Sequence, residues 1–392
     1  MTVTVEPAQV VSYELDEPAV LRAPGGLPTT AGGGPVLALL RRHGHPLGLA
    51  KAVGGAPLMG ELARAAGALP EPGPAVAAAD GLPVSVILCT RDRTALLPGC
   101  LDALLRTTHR PLELLLVDNA PGTDATERLV RERYAGSITY LREPLPGLAR
   151  ARNTGLAAAR GEVCAFTDDD ALVEPGWVGA LAATFRAEPA VGCVTGLVLP
   201  AELETEAQVL FERDFGFGRG FAPRRWSLRE PPADPLFPFA GSRYGTGANM
   251  AFRTSVLRGI GGFDPATGTG TPTGGGEDLL AFLQVLTAGH TLAYQPDALL
   301  WHRHRRTGAA LDTQLHGFGV GYGAYLTAAV LDRPRLLLAL LRRLPAGLRQ
   351  AGRGDGAASL DRIDLRGVLQ GPAAYAASRR LQRKLERRGE RP

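Results

Sequence analysis

The sequence predicts an α/β fold: a sheet with helices on both faces, a small β-containing module before it and a helical region with a basic tail after it. Three observations carry this. Between Val84 and Asp170, short runs that are apolar throughout alternate with helix-period segments, the pattern of a parallel sheet buried on both faces. A Pro/Ala/Gly stretch, PEPGPAVAAADGLP at 70–83, separates this part from a weakly patterned start and has the composition of a semi-rigid linker. From residue 314 onward the chain reads as helices rich in leucine and arginine.

The 392 residues, 45% of them hydrophobic and 21% charged, allow two or three domains at roughly 100–200 residues each. That composition lies away from the low-hydrophobicity, high-charge range of disordered chains. A formal net charge of only +4 does not suggest nucleic-acid binding. Cys89, Cys100, Cys164 and Cys193 are too scattered for a disulfide framework or a metal knuckle and read as free thiols of a reducing compartment. Residues 1–20 lack a signal-peptide pattern, and no run reaches the ~18 uninterrupted apolar residues of a spanning helix. A cytoplasmic location is expected.

In chain order, residues 1–69 read as a small accessory module. They open with Val3, Val5, Val10 and Val11, break at a Gly/Pro segment and resume with PVLALLRRHGHPLGLAKAV. After the linker, VSVILC (84–89) predicts a strand, and Leu96, Leu97, Leu101, Leu104 and Leu105 predict a helix. LELLLVDN (112–119), SITYL (137–141) and EVCAFTDDD (162–170) are further strands, with helices at 124–134 and 147–160 between them. A helix near 175–187, a strand at 191–199, the strand NMAFR (249–253) and helices after Thr254 and Glu277 complete a main domain at 84–313. The irregular region 211–247 exceeds ~15 residues, the length of a binding loop or lid. Its FGFGRGF segment and Trp226, Phe237, Phe239 and Tyr244 are open to either packing or stacking on a ligand. The region 314–392 is expected to be helical.

Ligands of parallel sheets bind beyond the carboxyl ends of the strands, and there the chemistry gathers. Asp168, Asp169 and Asp170 end one strand. Adjacent buried carboxylates are costly unless a divalent cation or a set of donors satisfies them; hard oxygen ligands suit Mg²⁺ or Mn²⁺, and an acidic helix start is the bland alternative. Another strand end carries Thr90, Arg91, Asp92 and Arg93, and a third Asp118 and Asn119. Arginines here, with Arg150 and Arg152, can meet phosphate oxygens. GGGEDLL (274–280) leads glycines into an acidic pair at a helix start, the makings of a mobile loop with a carboxylate at its base.

With VSVILCTRDR, VDNA, GLARARNTGLAAARGEVCAFTDDD, GANMAFR, GGFD and GGGEDLLAFLQVLTAGHTLAYQPDALLWHRH in this order, the text from Pro83 to Arg305 resembles the family 2 glycosyltransferases of the GT-A fold. The resemblance implies a Rossmann-like mixed sheet and an inverting, metal-assisted transfer of a sugar from a nucleoside-diphosphate donor to an acceptor hydroxyl. It implies that Thr90, Arg91, Asp118, Arg152 and Asp168 contact the nucleotide sugar and that Asp170 and His302 serve an Mg²⁺ or Mn²⁺ ion. Asp278 would be the general base and Glu277 would brace the acceptor, while Asp169 receives no role.

Two other readings remain at this level. A sugar-1-phosphate nucleotidyltransferase typically has a Gly-rich phosphate loop after its first strand, and CTRDRT has no glycine. A non-catalytic carbohydrate- or protein-binding module on the same fold would not need both the acidic triplet and Glu277-Asp278. The acceptor, whether carbohydrate, lipid-linked or small molecule, is not readable. In PRLLLALLRRLPAGLRQ (334–350), leucines alternate with Arg335, Arg342, Arg343 and Arg349, a pattern open to peripheral contact with an anionic membrane at its inner face or to covering the main domain. Pro345 and Gly347 are expected to interrupt that helix.

Overall fold

The computed structural model describes residues 6–71, 81–351 and 364–389. Most of the 70–83 linker and the last residues of the basic tail therefore lie outside the described residues.

The first unit is a five-stranded sheet, β1 (Gln9–Glu14), β2 (Leu21–Arg22), β3 (Pro28–Thr29), β4 (Pro35–Arg42) and β5 (His45–Val53), in the order β3-β2-β1-β4-β5. Side chains alternate across it, as the strand period of two requires. Val11, Tyr13, Val36, Ala38 and Leu40 face α1 (Leu58–Gly67), whose Leu58, Leu62 and Ala66 recur every fourth residue and close a small core. Val10, Leu37 and Leu39 point the other way into the main core. The sheet is thus tied to its neighbour, and Arg41 to Glu174 (2.9 Å) and His45 to Asp297 (2.9 Å) add polar links at the rim.

The main sheet collects β6 (Val84–Thr90), β7 (Leu112–Asn119), β8 (Thr139–Glu143), β9 (Val163–Asp168), β10 (Ala171–Val173), β11 (Val191–Pro200), β12 (Arg224–Trp226), β13 (Asn249–Arg253) and β14 (Thr291–His302). Their order is β10-β14-β11-β13-β9-β6-β7-β8, with β12 added to β14. β6 to β9 are mutually parallel, as the alternating βα pattern requires. β13 runs antiparallel to both its neighbours, which makes the sheet mixed. Between the strands lie α2 (Leu97–Leu105), α3 (Ala125–Arg133), α4 (Leu148–Ala158), α5 (Trp177–Ala187), α6 (Glu206–Asp214), α7 (Thr254–Gly259) and α8 (Glu277–Thr287). α2 and α5 cover one face through Leu97, Leu101, Trp177, Leu181 and Phe185. α4 and α8 cover the other through Ala149, Leu156, Phe282 and Val285. Each large apolar side chain so buried contributes about 1.5–3 kcal/mol.

Asn249 shows what one motif residue does here. The β11/β14 ladder slips register between Gly196 and Val198. The Asn249 amide donates to the carbonyls of Leu197 (2.9 Å) and Ala298 (2.8 Å), and its oxygen accepts from the Trp177 indole (2.8 Å). Leaving such buried carbonyls unpaired costs about 1–3 kcal/mol each. Asn153 likewise clamps Phe263 through its backbone N–H and carbonyl.

The observed elements depart from the expected ones: β10, β12, β14 and α6 were not expected, and four expected elements differ in extent. The third expected strand lies two residues later, at β8. β9 stops at Asp168, the last residue paired to β6, and Asp169 and Asp170 form the turn into β10. The terminal helices are α9 (Gly308–Asp332), α10 (Arg335–Ala351) and α11 (Leu365–Gly389). α9 starts six residues before 314 because the Thr307 hydroxyl caps it, accepting from the Ala310 N–H at 3.3 Å. α10 continues through Pro345 to Ala351: an internal proline costs about 3 kcal/mol, and Leu336, Ala339 and Leu340 offset it by packing on the buried cluster that includes Tyr325 and Ala329 of α9.

α9 and α11 meet along glycines. A Cβ added at Gly323 would lie 2.1 Å from the Val368 carbonyl, and one at Gly371 2.4 Å from the Ala324 nitrogen. The same device joins α9 to the loop before α8, since a Cβ at Gly276 (φ 94°) would lie 2.4 Å from the Gly321 carbonyl. The loop read as mobile is packed backbone to backbone on α9.

Candidate active site

The carboxyl ends of β6, β7, β9 and β14 open into a cavity of about 580 Å³, lined on its other side by the loop after α6, by α8 and by α9. Three ligand atoms converge at one end. Asp168, Asp170 and His302 each offer one, all within 4.8 Å of one another. Two hard carboxylate oxygens and an imidazole nitrogen form a donor set that suits Mg²⁺ or Mn²⁺, so the residues present fit the expected ion.

Each member is held by its neighbours. His302 Nε2 lies 3.1 Å from Asp170 Oδ1, and its Nδ1 lies 3.3 Å from His304 Nδ1. His304 in turn reaches Glu212 at 3.0 Å. Such partners orient a metal-ligating histidine. Arg93 bridges Asp169 and Asp170, meeting the latter at 2.9 Å. Although burial works against it, Asp170 is held well below the usual carboxylate range by His302 and Arg93. Asp168 is raised by burial, which outweighs the pull of Arg152. Asp169, to which the sequence reading gave no role, is a strut: Thr90 donates to it at 2.7 Å, and burial with the adjacent Asp170 pushes it up to about 6.

Arg152 is buried and links two sets of residues. It donates to Glu277 (2.8 Å), Asp168 (3.3 Å) and the Gly247 carbonyl (3.1 Å). Burial pushes Glu277 up to about 7 against the pull of Arg152, and its Oε2 has no partner. Asp278 accepts from the backbone N–H groups of Gly247 (2.8 Å) and Leu279 (2.8 Å) and lines the cavity.

Thus Thr90, Arg91, Arg152, Asp168, Asp170, Glu277, Asp278 and His302 come together around one cavity. Asp118 does not line it. It is buried, accepts from the Tyr140 hydroxyl at 3.0 Å and is raised by desolvation, while Asn119 faces the cavity. Arg150 points away and reaches Gln382 and Glu386 of α11. Of the loop aromatics, Trp226, Phe237, Phe239 and Tyr244 are buried packing residues, whereas Phe215 and Phe217 line the cavity with Phe318 and Tyr322 of α9. The two α9 aromatics escaped the sequence reading because what they meet at the cavity, Phe217 for Phe318 and the Phe239 carbonyl for Tyr322, lies more than 70 residues away. The FGFGRGF run was the available signal for the other two.

Acidic strand ends, a trio that fits a divalent cation and a helix-start carboxylate thus share one cleft of a mixed α/β sheet. Residues 85–261 match the family described as Glycosyl transferase family 2, and this part of the chain is similar to that family. Among curated relatives, the glucosyl-dolichyl phosphate glucuronosyltransferase of Haloferax volcanii is 25% identical over 194 residues, 47% of this chain and 57% of that protein. The pre-mycofactocin glycosyltransferase of Mycobacterium tuberculosis is 29% identical over 223 residues, 55% of this chain and 43% of that protein. The chain therefore spans about half the length of the curated relatives it matches. Among solved structures, the Pyrobaculum calidifontis mannosyltransferase in complex with GDP-Man and Mn²⁺ aligns with 75% of this chain and 85% of its own, at 19% identity and a TM-score of 0.43.

Proposed function

We propose that the protein transfers a glycosyl group from a nucleoside-diphosphate sugar to an acceptor hydroxyl, with inversion and with help from Mg²⁺ or Mn²⁺. The observation that carries this is the shared cavity: Asp168, Asp170 and His302 at one end, and Asp278 beside them on the α8 start. The ion, when bound, would neutralise charge developing on the departing diphosphate. Arg93, Arg91 and Arg305 line the same end and supply further positive charge.

Asp278 is the general base in this reading. Two backbone N–H groups fix its carboxylate and leave its remaining lone pairs toward the cavity, where they can take the acceptor proton. Glu277 braces Arg152, and Arg152 in turn holds Asp168, so the base and the metal end are mechanically linked. The donor contacts fall to Thr90, Arg91 and Asp168, with Asp118 behind Asn119. A screen of UDP-, GDP- and TDP-sugars with Mn²⁺, read by mass spectrometry, tests this: a nucleoside diphosphate and a glycosylated product support transfer, whereas pyrophosphate would indicate nucleotidyl transfer.

No helix among the described residues is long and apolar enough to cross a membrane. Peripheral contact with an anionic bilayer, at the cytoplasmic face, fits α10 instead. Leu336 and Leu340 pack inward, whereas Leu337, Leu338 and Leu341 are 47%, 55% and 53% exposed beside exposed Arg335 and Arg342. Residues 333–351 hold five arginines and no acid, and each basic residue near such a surface contributes roughly 1 kcal/mol.

A further inference from the structure

Five arginines line the cavity. Four have a carboxylate within salt-bridge distance: Arg91 has Asp92, Arg93 has Asp169 and Asp170, Arg152 has Asp168 and Glu277, and Arg305 has Asp170. The fifth, Arg219, has none among the described residues. It donates only to carbonyls, those of Ser242 (2.9 Å), Gly216 (2.8 Å) and Gly218 (3.1 Å). A guanidinium taken from water without an anion is costly. Carbonyl dipoles take up its Nε and Nη1, its Nη2 has no hydrogen bond among the described residues, and Glu212 acts on it only across space, already held by His304.

Its surroundings have a consistent chemistry. Ser242 also lines the cavity, and its hydroxyl is buried with no partner. Around them stand Phe215, Phe217, Leu315, Phe318 and Tyr322. The Phe217 ring meets His302 edge-on at 5.3 Å and Phe318 at 6.4 Å, so the apolar wall runs from the metal end to α9. The loop that begins at Ser242 reaches Gly247, whose N–H holds Asp278. The Ser242 carbonyl that accepts from Arg219 and the Gly247 N–H that donates to the proposed base therefore belong to one short segment.

We infer that Arg219 and Ser242 form an anion receptor at the acceptor end, and that the acceptor carries a phosphate or carboxylate beside an apolar group, aromatic or prenyl. The guanidinium pairs with the anion, the Ser242 hydroxyl donates to it, and the phenylalanines take the apolar part. The inference rests on the transfer reading only in calling this the acceptor end.

Binding decides it without donor or metal. Ligand NMR titrations in EDTA compare phenyl phosphate and geranyl phosphate with phenol and inorganic phosphate, on the wild-type chain and on Arg219→Gln, Arg219→Lys and Ser242→Ala. Both organic phosphates, or one of them, should bind about tenfold or more tightly than phenol and inorganic phosphate. Whichever binds better tells an aromatic from a prenyl source. Arg219→Gln should remove that advantage, Arg219→Lys should restore part of it, and Ser242→Ala, which keeps the carbonyl that Arg219 uses, should lose a smaller part. Inorganic phosphate binding as well as phenyl phosphate, or organic phosphates binding equally to wild type and to a folded Arg219→Gln, would overturn the inference. Should Arg219→Gln unfold, Ser242→Ala decides instead, and unchanged binding there overturns it. Equal loss of UDP and GDP binding with Mn²⁺ in Arg219→Gln would also overturn it, by assigning Arg219 to the donor. Since no turnover is measured, absence of glycosyl transfer leaves this result standing, and failure here leaves transfer to a neutral acceptor open.

Discussion

The two ends of the cavity differ in how their charges are settled. At the β-strand end every carboxylate of the triplet has a cation or donor against it: Arg152, Thr90, Arg93 and His302. At the α9 end Arg219 donates only to carbonyls among the described residues and has no carboxylate within salt-bridge distance, Glu212 acting on it across space. A crowded acidic strand end survives folding when its neighbours are oppositely charged and buried with it. An uncompensated cation in an apolar wall costs stability, and such a cost is expected where a ligand supplies the missing charge.

The largest expected effect breaks the strand end. Exhaustive chelation should abolish turnover and Mn²⁺ should restore it, while Asp170→Ala should be inactive with either metal; full turnover in EDTA would refute the metal assignment. Asp278→Asn comes next, with a loss on the order of 10²–10⁴ in rate and nearly unchanged donor affinity. Single-turnover rates beside nucleotide binding check it, and a normal rate would place the base elsewhere.

Glu277 gives the comparison a pH signature. Its folded pKa of about 7 lies above its ordinary 4.5, so between those values the folded state binds the extra proton. Its contribution to stability is therefore present in full below about pH 4.5 and is lost as pH rises through 7. Glu277→Gln should remove that slope, an effect on the order of 1–3 kcal/mol across the window. Parallel stability curves for variant and wild type, from denaturant titrations at several pH values, would contradict it. The smallest effect concerns the outer surface. Leu337→Asp with Leu341→Asp should reduce co-sedimentation with phosphatidylglycerol vesicles severalfold at physiological salt and leave soluble turnover unchanged. Equal sedimentation of both proteins would remove the membrane proposal.

Much of the sheet was legible because buried strands must be apolar at every position: VSVILC and LELLLVDN have no other stable reading beside Gly- and Pro-marked turns. The acidic triplet and the Glu277-Asp278 pair stood out because such carboxylates are costly outside a site. What each motif residue does was not legible. Asn249 closes a register slip, Asn153 clamps Phe263, Thr90 supports Asp169 and Arg152 joins the metal end to α8, and all four roles depend on atoms far away in the chain. The start of α9 was missed although Thr307 signals it, since glycines at 317, 319, 321 and 323 weaken a helical reading. Those glycines make sense only once α11 and the loop before α8 lie against them.

By itself the sequence determined the alternation of strands and helices from β6 to β9, the free state of its four cysteines and the residue types able to hold a divalent cation, because periodicity and the cost of buried charge act locally. Tertiary structure decided which strands run antiparallel, which aromatics pack and which line the cavity, and which cavity arginine has no carboxylate within salt-bridge distance among the described residues. Those outcomes depend on pairings between segments brought together only when the sheet closes, and no local pattern encodes them.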